Sequence, residues 1–124
     1  MDLNQITVPV ADVEKSISFY EKLGLKLIVK DLPDYARFEC PEGSATFSLH
    51  KTDRQCAEGI WIYFEIQDLD DYVNGLIKKD VIFEELPNDK PWLWRESRLK
   101  DPDNNLLILY FAGDNRKNPP WRIN

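Results

Sequence analysis

The sequence predicts an α+β fold built from two copies of one βαβββ module, and three observations predict it. QITVPV at 5–10 alternates and is rich in β-branched residues, as a strand with one buried face should be. A helical stripe follows it and stops at a glycine. The same strand-then-helix pattern returns at an offset of 56 positions, so that Val8 falls on Phe64, Val10 on Ile66, Asp12 on Asp68, Ile17 on Val73 and Leu27 on Phe83.

Each element has its own reason. In the first strand Ile6, Val8 and Val10 share one face, which leaves Gln5 and Thr7 on the other. Asp12 suits a helix N-cap. Val13, Ile17, Phe19, Tyr20 and Leu23 recur at three- and four-residue steps, and Gly24 is a natural C-terminus. The second copy reads as a strand from Trp61 to Ile66, a cap at Asp68, a stripe of Leu69, Val73, Leu76 and Ile77, and an end near Asp80. Strand-like runs follow each helix: Lys26–Lys30, Tyr35–Glu39 and Ala45–His50, then Val81–Glu84, Arg95–Lys100 and Leu106–Phe111. Turn formers separate them, with Pro41, Glu42, Gly43 and Ser44 answered by Asp101, Pro102, Asp103 and Asn104. A unit this small cannot bury its own sheet face, so the two copies are expected to pack together or with a second chain.

Composition narrows the function classes. With 124 residues, 43% hydrophobic and 31% charged, the chain is expected to form one folded domain over 1–124, with modules at about 3–55 and 59–112 and a tail at 113–124. The formal charge of −6 opposes binding to nucleic acid or to anionic lipid, and the basic residues Arg116, Lys117 and Arg122 read as a solvated end. No basic flank and long apolar run mark a signal peptide, and no window approaches a membrane span, so a cytoplasmic protein is expected. Cys40 and Cys56 lack metal-type spacing and read as free thiols.

VPVADVEKSISFYEKLGL at 8–25, the strand IYFEIQDL at 62–69 and the turn and strand DPDNNLLIL at 101–109 together resemble the vicinal oxygen chelate superfamily, the group of glyoxalases, bleomycin resistance proteins and extradiol dioxygenases. The resemblance covers about 4–112, in register across both halves. It implies an open, cup-like mixed sheet with the helices on its outer face, a binding site on the concave side, and frequent homodimers. Catalytic members hold a divalent metal with His, Glu or Gln from the start of each module's first strand and the middle of its last. Carried onto this chain, those places are Gln5, Ser48, Trp61 and Ile108, which include one plausible ligand. The usual metal site is therefore expected to be lost, and no cofactor is implied.

Alternation also assigns faces. Trp94, Glu96 and Arg98 are expected in the cup with Ser97 and Leu99 on the helix side, and Tyr35, Arg37 and Glu39 in the cup with Ala36 and Phe38 inward. The expected ligand-binding residues are Gln5, Arg37, Ser48, His50, Trp61, Tyr63, Trp94, Glu96, Arg98 and Tyr110. Aromatic walls with a few polar anchors suit a small organic molecule. The same aromatics could instead form core or a dimer interface.

These residues support a metal-free, homodimeric binding protein that sequesters a drug or metabolite, as the drug-sequestering members of the family do. An alternative is a lyase, isomerase or dioxygenase-type enzyme of the same superfamily with a relocated metal at Gln5, His50 and either Glu65 or Glu96, or one using Glu96 or His50 for acid–base chemistry without metal. A third is a regulatory or structural protein whose cup is an assembly surface. Ser48 and His50 lack an orienting acid for a nucleophile–base pair. In the tail, Pro119 and Pro120 cannot continue a sheet, and Trp121 is expected to dock on a partner subunit or the cup rim. Residues 88–92 are expected to form a mobile loop beside the pocket mouth.

Overall fold

A computed structural model describes residues 2–53 and 60–123. The chain forms two compact units, one of Met1–Glu58 with Asp101–Asn105, the other of Gly59–Lys100 with Leu106–Asn124. Cys40 is a free thiol whose pKa burial raises, and Cys56 lies outside the described residues.

The first unit holds β1 (Gln5–Val10), α1 (Val13–Leu23), β2 (Lys26–Asp31), β3 (Tyr35–Glu39) and β4 (Thr46–Lys51). Its four strands run in the order β1-β4-β3-β2, with β1 parallel to β4 and the other pairs antiparallel. α1 starts where expected, because the Asp12 side chain accepts the Lys15 N–H at 3.1 Å. It ends on Gly24 at φ 108, where the Gly24 N–H reaches the Glu21 carbonyl and the Leu25 N–H the Tyr20 carbonyl. Val13, Ile17, Tyr20 and Leu23 are buried against a sheet face of Val8, Val10, Ala36, Phe38, Phe47 and Leu49. Tyr20 packs its ring against Phe47 and Phe38 at centroid distances of 4.7 and 6.1 Å.

The turn at 101–105 belongs to this unit for a polar reason. Buried Asp101 accepts four hydrogen bonds: from the Tyr20 hydroxyl (2.6 Å), the Asn105 side chain (2.8 Å) and the backbone of Asp103 and Asn105 (2.9 and 2.8 Å). Asp103 accepts the Ala11 N–H at 2.8 Å. Every donor a buried carboxylate needs is thus supplied by protein.

The second unit repeats the plan with β5 (Trp61–Glu65), α2 (Leu69–Ile77), β6 (Glu85–Asp89), β7 (Arg95–Lys100) and β8 (Leu106–Phe111), in the order β5-β8-β7-β6. Leu69, Val73 and Leu76 of α2 are buried, as are Ile62, Ser97, Leu99, Leu107 and Leu109 of the sheet. The expected α+β class and the βαβββ duplication are both present.

Four local expectations need correction. Ile77, expected in the apolar stripe, is exposed, because it sits one position past the last buried contact of α2. Asp68 occupies the N-cap without a side-chain cap bond. The strand expected at Val81–Glu84 lies at Glu85–Asp89, since residues 81–84 complete the exit from the helix: Asp80 adopts φ 66, and the Val81 N–H returns to the Leu76 carbonyl. Pro87 donates nothing to the ladder, and the β6–β7 register shifts between Glu85 and Asn88. Finally, Asn88 and Asp89, expected in a loop, belong to β6, and a hydrogen-bonded turn spans Lys90 to Trp94 with Leu93 at φ 67.

Candidate functional site

Each sheet has one face turned away from its helix, and the two faces differ. In the first unit, ladder register sets Gln5 opposite Thr46, Thr7 and Arg37 opposite Ser48, and Tyr35 opposite His50. Hydrogen bonds join these side chains. Gln5 Nε2 donates to Ser48 Oγ (2.9 Å) and Thr7 Oγ1 (3.2 Å), while the Thr46 hydroxyl donates to Gln5 Oε1. The Tyr35 hydroxyl lies 2.8 Å from Ser48 Oγ and accepts from Arg37 Nε at 2.9 Å. Burial acts to raise the Tyr35 pKa, but the hydrogen bonds from Ser48 and Arg37 outweigh it and hold the phenol below its ordinary range. Ser48 is fully buried, Arg37 is exposed, and His50 Nδ1 lies 2.9 Å from the Lys51 carbonyl. Ser48 is thus engaged with Gln5 and Tyr35, not with His50.

The second unit places Trp61 opposite Leu106, Tyr63 and Arg98 opposite Ile108, and Glu96 opposite Tyr110. Here the face is largely aromatic. Trp94 stacks on Tyr110 at 4.8 Å, and Tyr63 meets both rings edge-on at 5.9 and 5.3 Å. Tyr110 and Ile108 are buried, with Trp94 and Leu106 packed against them, so these residues form a small apolar cluster instead of open wall. Trp61 is 58% exposed, and the Arg98 guanidinium lies over its ring at 5.7 Å. Burial, then the charge of Glu96, raises the Tyr63 pKa against a smaller opposing effect of Arg98. Tyr110 is raised by burial and then by Glu65, with Arg116 opposing.

Glu96 is 1% exposed. Its Oε2 accepts the Trp92 indole N–H at 2.6 Å, and its Oε1 lies 3.7 Å from Arg98 Nη2. Neither Oε1 nor the buried Arg98 Nε has a hydrogen-bond partner, although Arg98 Nε stands 3.5 Å from Glu85 Oε2. Glu85 is held by Lys90 and Asn88, and these contacts lower its pKa.

The positions that would carry the family's metal do not suit one. Gln5 and Ser48 are committed to each other, and Trp61 and Ile108 offer no donor atom. Of the substitutes, Glu65 is engaged: its Oε2 accepts the N–H groups of Ala112 and Gly113 at 2.8 and 2.9 Å, capping a short 3₁₀ turn at Gly113–Arg116. Among the described residues, no group of three or more His, Cys, Asp and Glu side chains could hold a metal ion.

The face assignments made by alternation match the side-chain contacts. Two further residues take part in these faces without a strong sequence signal, Tyr35 and Trp92. Alternation gives Tyr35 a face, and its role comes from the Arg37 and Ser48 neighbours that strand register supplies. Trp92 reaches Glu96 through a turn that no periodicity announces. Trp121 is exposed within the second unit.

Two βαβββ units of one topology, each presenting a helix-free sheet face, define the class as a duplicated βαβββ protein. A family model described as the Glyoxalase/Bleomycin resistance protein/Dioxygenase superfamily matches residues 2–109. The chain belongs to that superfamily. It is 30% identical over 125 aligned positions to the uncharacterized protein YraH of Bacillus subtilis strain 168, covering 89% of this chain and 98% of the relative. Among solved structures, a glyoxalase/bleomycin resistance protein/dioxygenase from Nocardioides matches with a TM-score of 0.79 and 19% identity, covering 100% of this chain and 90% of its own. Lactoylglutathione lyase from Agrobacterium tumefaciens matches with a TM-score of 0.75 and 15% identity, covering 90% and 93%. These likenesses are of fold. No helix among the described residues is long and apolar enough to cross a membrane.

Proposed function

We propose that this chain is a metal-independent small-molecule-binding member of the superfamily, which holds a compact organic ligand on the aromatic face of its second unit and acts by sequestration. One observation carries the reading: where the family's metal positions fall in this unit stand Trp61 and Ile108, among Tyr63, Trp94 and Tyr110, with Glu96 and Arg98 as charged anchors. Rings supply apolar contact and the anchors orientation. Exposed Trp61, Tyr63, Ile82, Leu86 and Trp121 support association into a homodimer. Work in the cytoplasm, on a drug or on a metabolite, fits the acidic composition and the free thiol of Cys40.

The test is isothermal titration calorimetry of the native protein against a panel of aromatic drugs and metabolites, with elemental analysis of protein purified without chelators. Binding that is unchanged by metal removal and weakened by Trp61→Ala supports the reading. A stoichiometric divalent metal required for binding would sink it.

A second reading, an enzyme using acid–base chemistry without metal, draws support from the first unit. Tyr35 faces donors from Arg37 and Ser48, which favour its ionised form and suit it to exchange a proton with a bound molecule. Exchange of substrate C–H for deuterium that vanishes in Tyr35→Phe would favour this reading.

A further inference from the structure

The second unit contains a mismatch in its own hydrogen bonding. Glu96 is buried on β7, one carboxylate oxygen satisfied by Trp92 and the other by nothing closer than the ion-pair contact with Arg98 at 3.7 Å. Arg98, two residues on and on the same face, has a buried Nε that makes no hydrogen bond, its ion-pair neighbour Glu85 Oε2 standing 3.5 Å away. The face therefore carries one unmatched acceptor beside one unmatched donor, and buried polar atoms in folded proteins are nearly always matched.

The charges restrict what can match them. An ammonium could satisfy Glu96 Oε1, but it would approach the Arg98 guanidinium. A carboxylate could satisfy Arg98 Nε, but it would approach Glu96. A group bearing a donor next to an acceptor, with no net charge, answers both. The aromatic surroundings, with Trp61 and Tyr63 exposed, favour a ring beside that group.

Resting on the binding reading above, we propose that Glu96 and Arg98 form a paired polar anchor for an aromatic ligand of zero net charge whose polar arm presents a hydrogen-bond donor beside an acceptor. Such an arm is a primary amide or lactam edge, or a zwitterionic amino acid head. The Trp92 indole, 41% exposed, keeps Glu96 Oε2 satisfied through its N–H and so leaves Oε1 as the atom the arm must match.

Four probes of one ring and different arms test this by calorimetry on the full chain: indole-3-acetamide, L-tryptophan, indole-3-acetate and tryptamine. The acetamide, the zwitterion or both bind at least about tenfold more tightly than the anion and the cation, a difference of one well-made charge-assisted hydrogen bond. Preference for the acetamide identifies the amide-type arm, and preference for tryptophan the zwitterion. Glu96→Gln and Arg98→Met each remove the preference. Arg98 is partly exposed, so its variant keeps the test available if the buried Glu96 variant fails to fold, as circular dichroism would report. Equal binding of all four probes, or a preference that survives both variants, overturns the paired anchor while leaving small-molecule binding in place. Tighter binding of the anion or the cation overturns it too. So does no binding by any of the four, and if the wider panel is also silent, the binding reading falls with it.

Discussion

The two units share a backbone plan and differ in how they fill it. At equivalent ladder positions the first has Ser48 between Thr7 and Arg37, and the second has Ile108 between Tyr63 and Arg98. One face is a hydrogen-bonded lattice, the other a packed aromatic cluster. Strand register fixes where side chains meet, and their chemistry then decides whether the meeting point is polar or apolar. A duplicated fold can thus carry two unlike surfaces without a change in topology.

The turns before the last strands give the sharpest contrast. Cys40 and Asp101 occupy matching places, each with its N–H bonded to the carbonyl that closes the turn, Ala45 at 3.3 Å and Asn105 at 3.1 Å. Only Asp101 anchors its turn with a carboxylate. Asp101→Ala strands the Tyr20 hydroxyl and the Asn105 amide in the interior and is expected to cost about 3 kcal/mol by urea denaturation. A loss under about 1 kcal/mol would mean the two turns are equally self-sufficient. The same pair sets an alkaline limit. Burial and then the Asp101 charge raise the Tyr20 pKa above its ordinary 10.0, so Tyr20 stabilises the fold fully below that pH. Its contribution falls as the pH climbs from 10.0 toward the raised folded-state pKa. In Tyr20→Phe, stability should fall less steeply over that range.

Exchanging the floor residues tests the comparison next. Ile108→Ser opens space in the aromatic cluster and buries a hydroxyl among rings, an expected loss of about 2–3 kcal/mol. Ser48→Ala keeps the fold and removes the shared partner of Gln5 and Tyr35, an expected loss of about 1 kcal/mol. Tyrosinate absorbance should then show Tyr35 ionising at higher pH than in the parent. If both changes cost the same and the Tyr35 titration does not move, the polar lattice has no special role.

The smallest effect concerns the helix exits. Gly24 and Asp80 hold the same left-handed place, φ 108 and φ 66, with the same pair of return hydrogen bonds. Asp80→Gly should stabilise by roughly 0.5 kcal/mol, read as a small rise in thermal midpoint. The reverse change, Gly24→Asp, should destabilise by a similar amount.

Most of the fold could be read from the sequence, because alternation, caps and the 56-position repeat are local signals. The face assignments of Glu96, Arg98, Trp94 and Arg37 followed from period two alone. What escaped depended on tertiary partners. Val81–Glu84 is apolar enough to read as a strand, and the helix-exit hydrogen bonds that claim those residues, shifting β6 to Glu85–Asp89, are invisible in composition. Trp92 lies in a turn, as its sequence neighbours suggest, but its bond to Glu96 follows from a turn with Leu93 in a left-handed conformation that leucine seldom takes. The phenol of Tyr35 gained a role only once Arg37 and Ser48 were seen at 2.9 and 2.8 Å.

Pro87 lies in β6, the last strand in its sheet's order. A foreign strand seeking to extend the sheet along this border would find one backbone amide missing and the pleat out of step beside it. Recruitment by strand templating is thereby discouraged along the β6 border of the second unit.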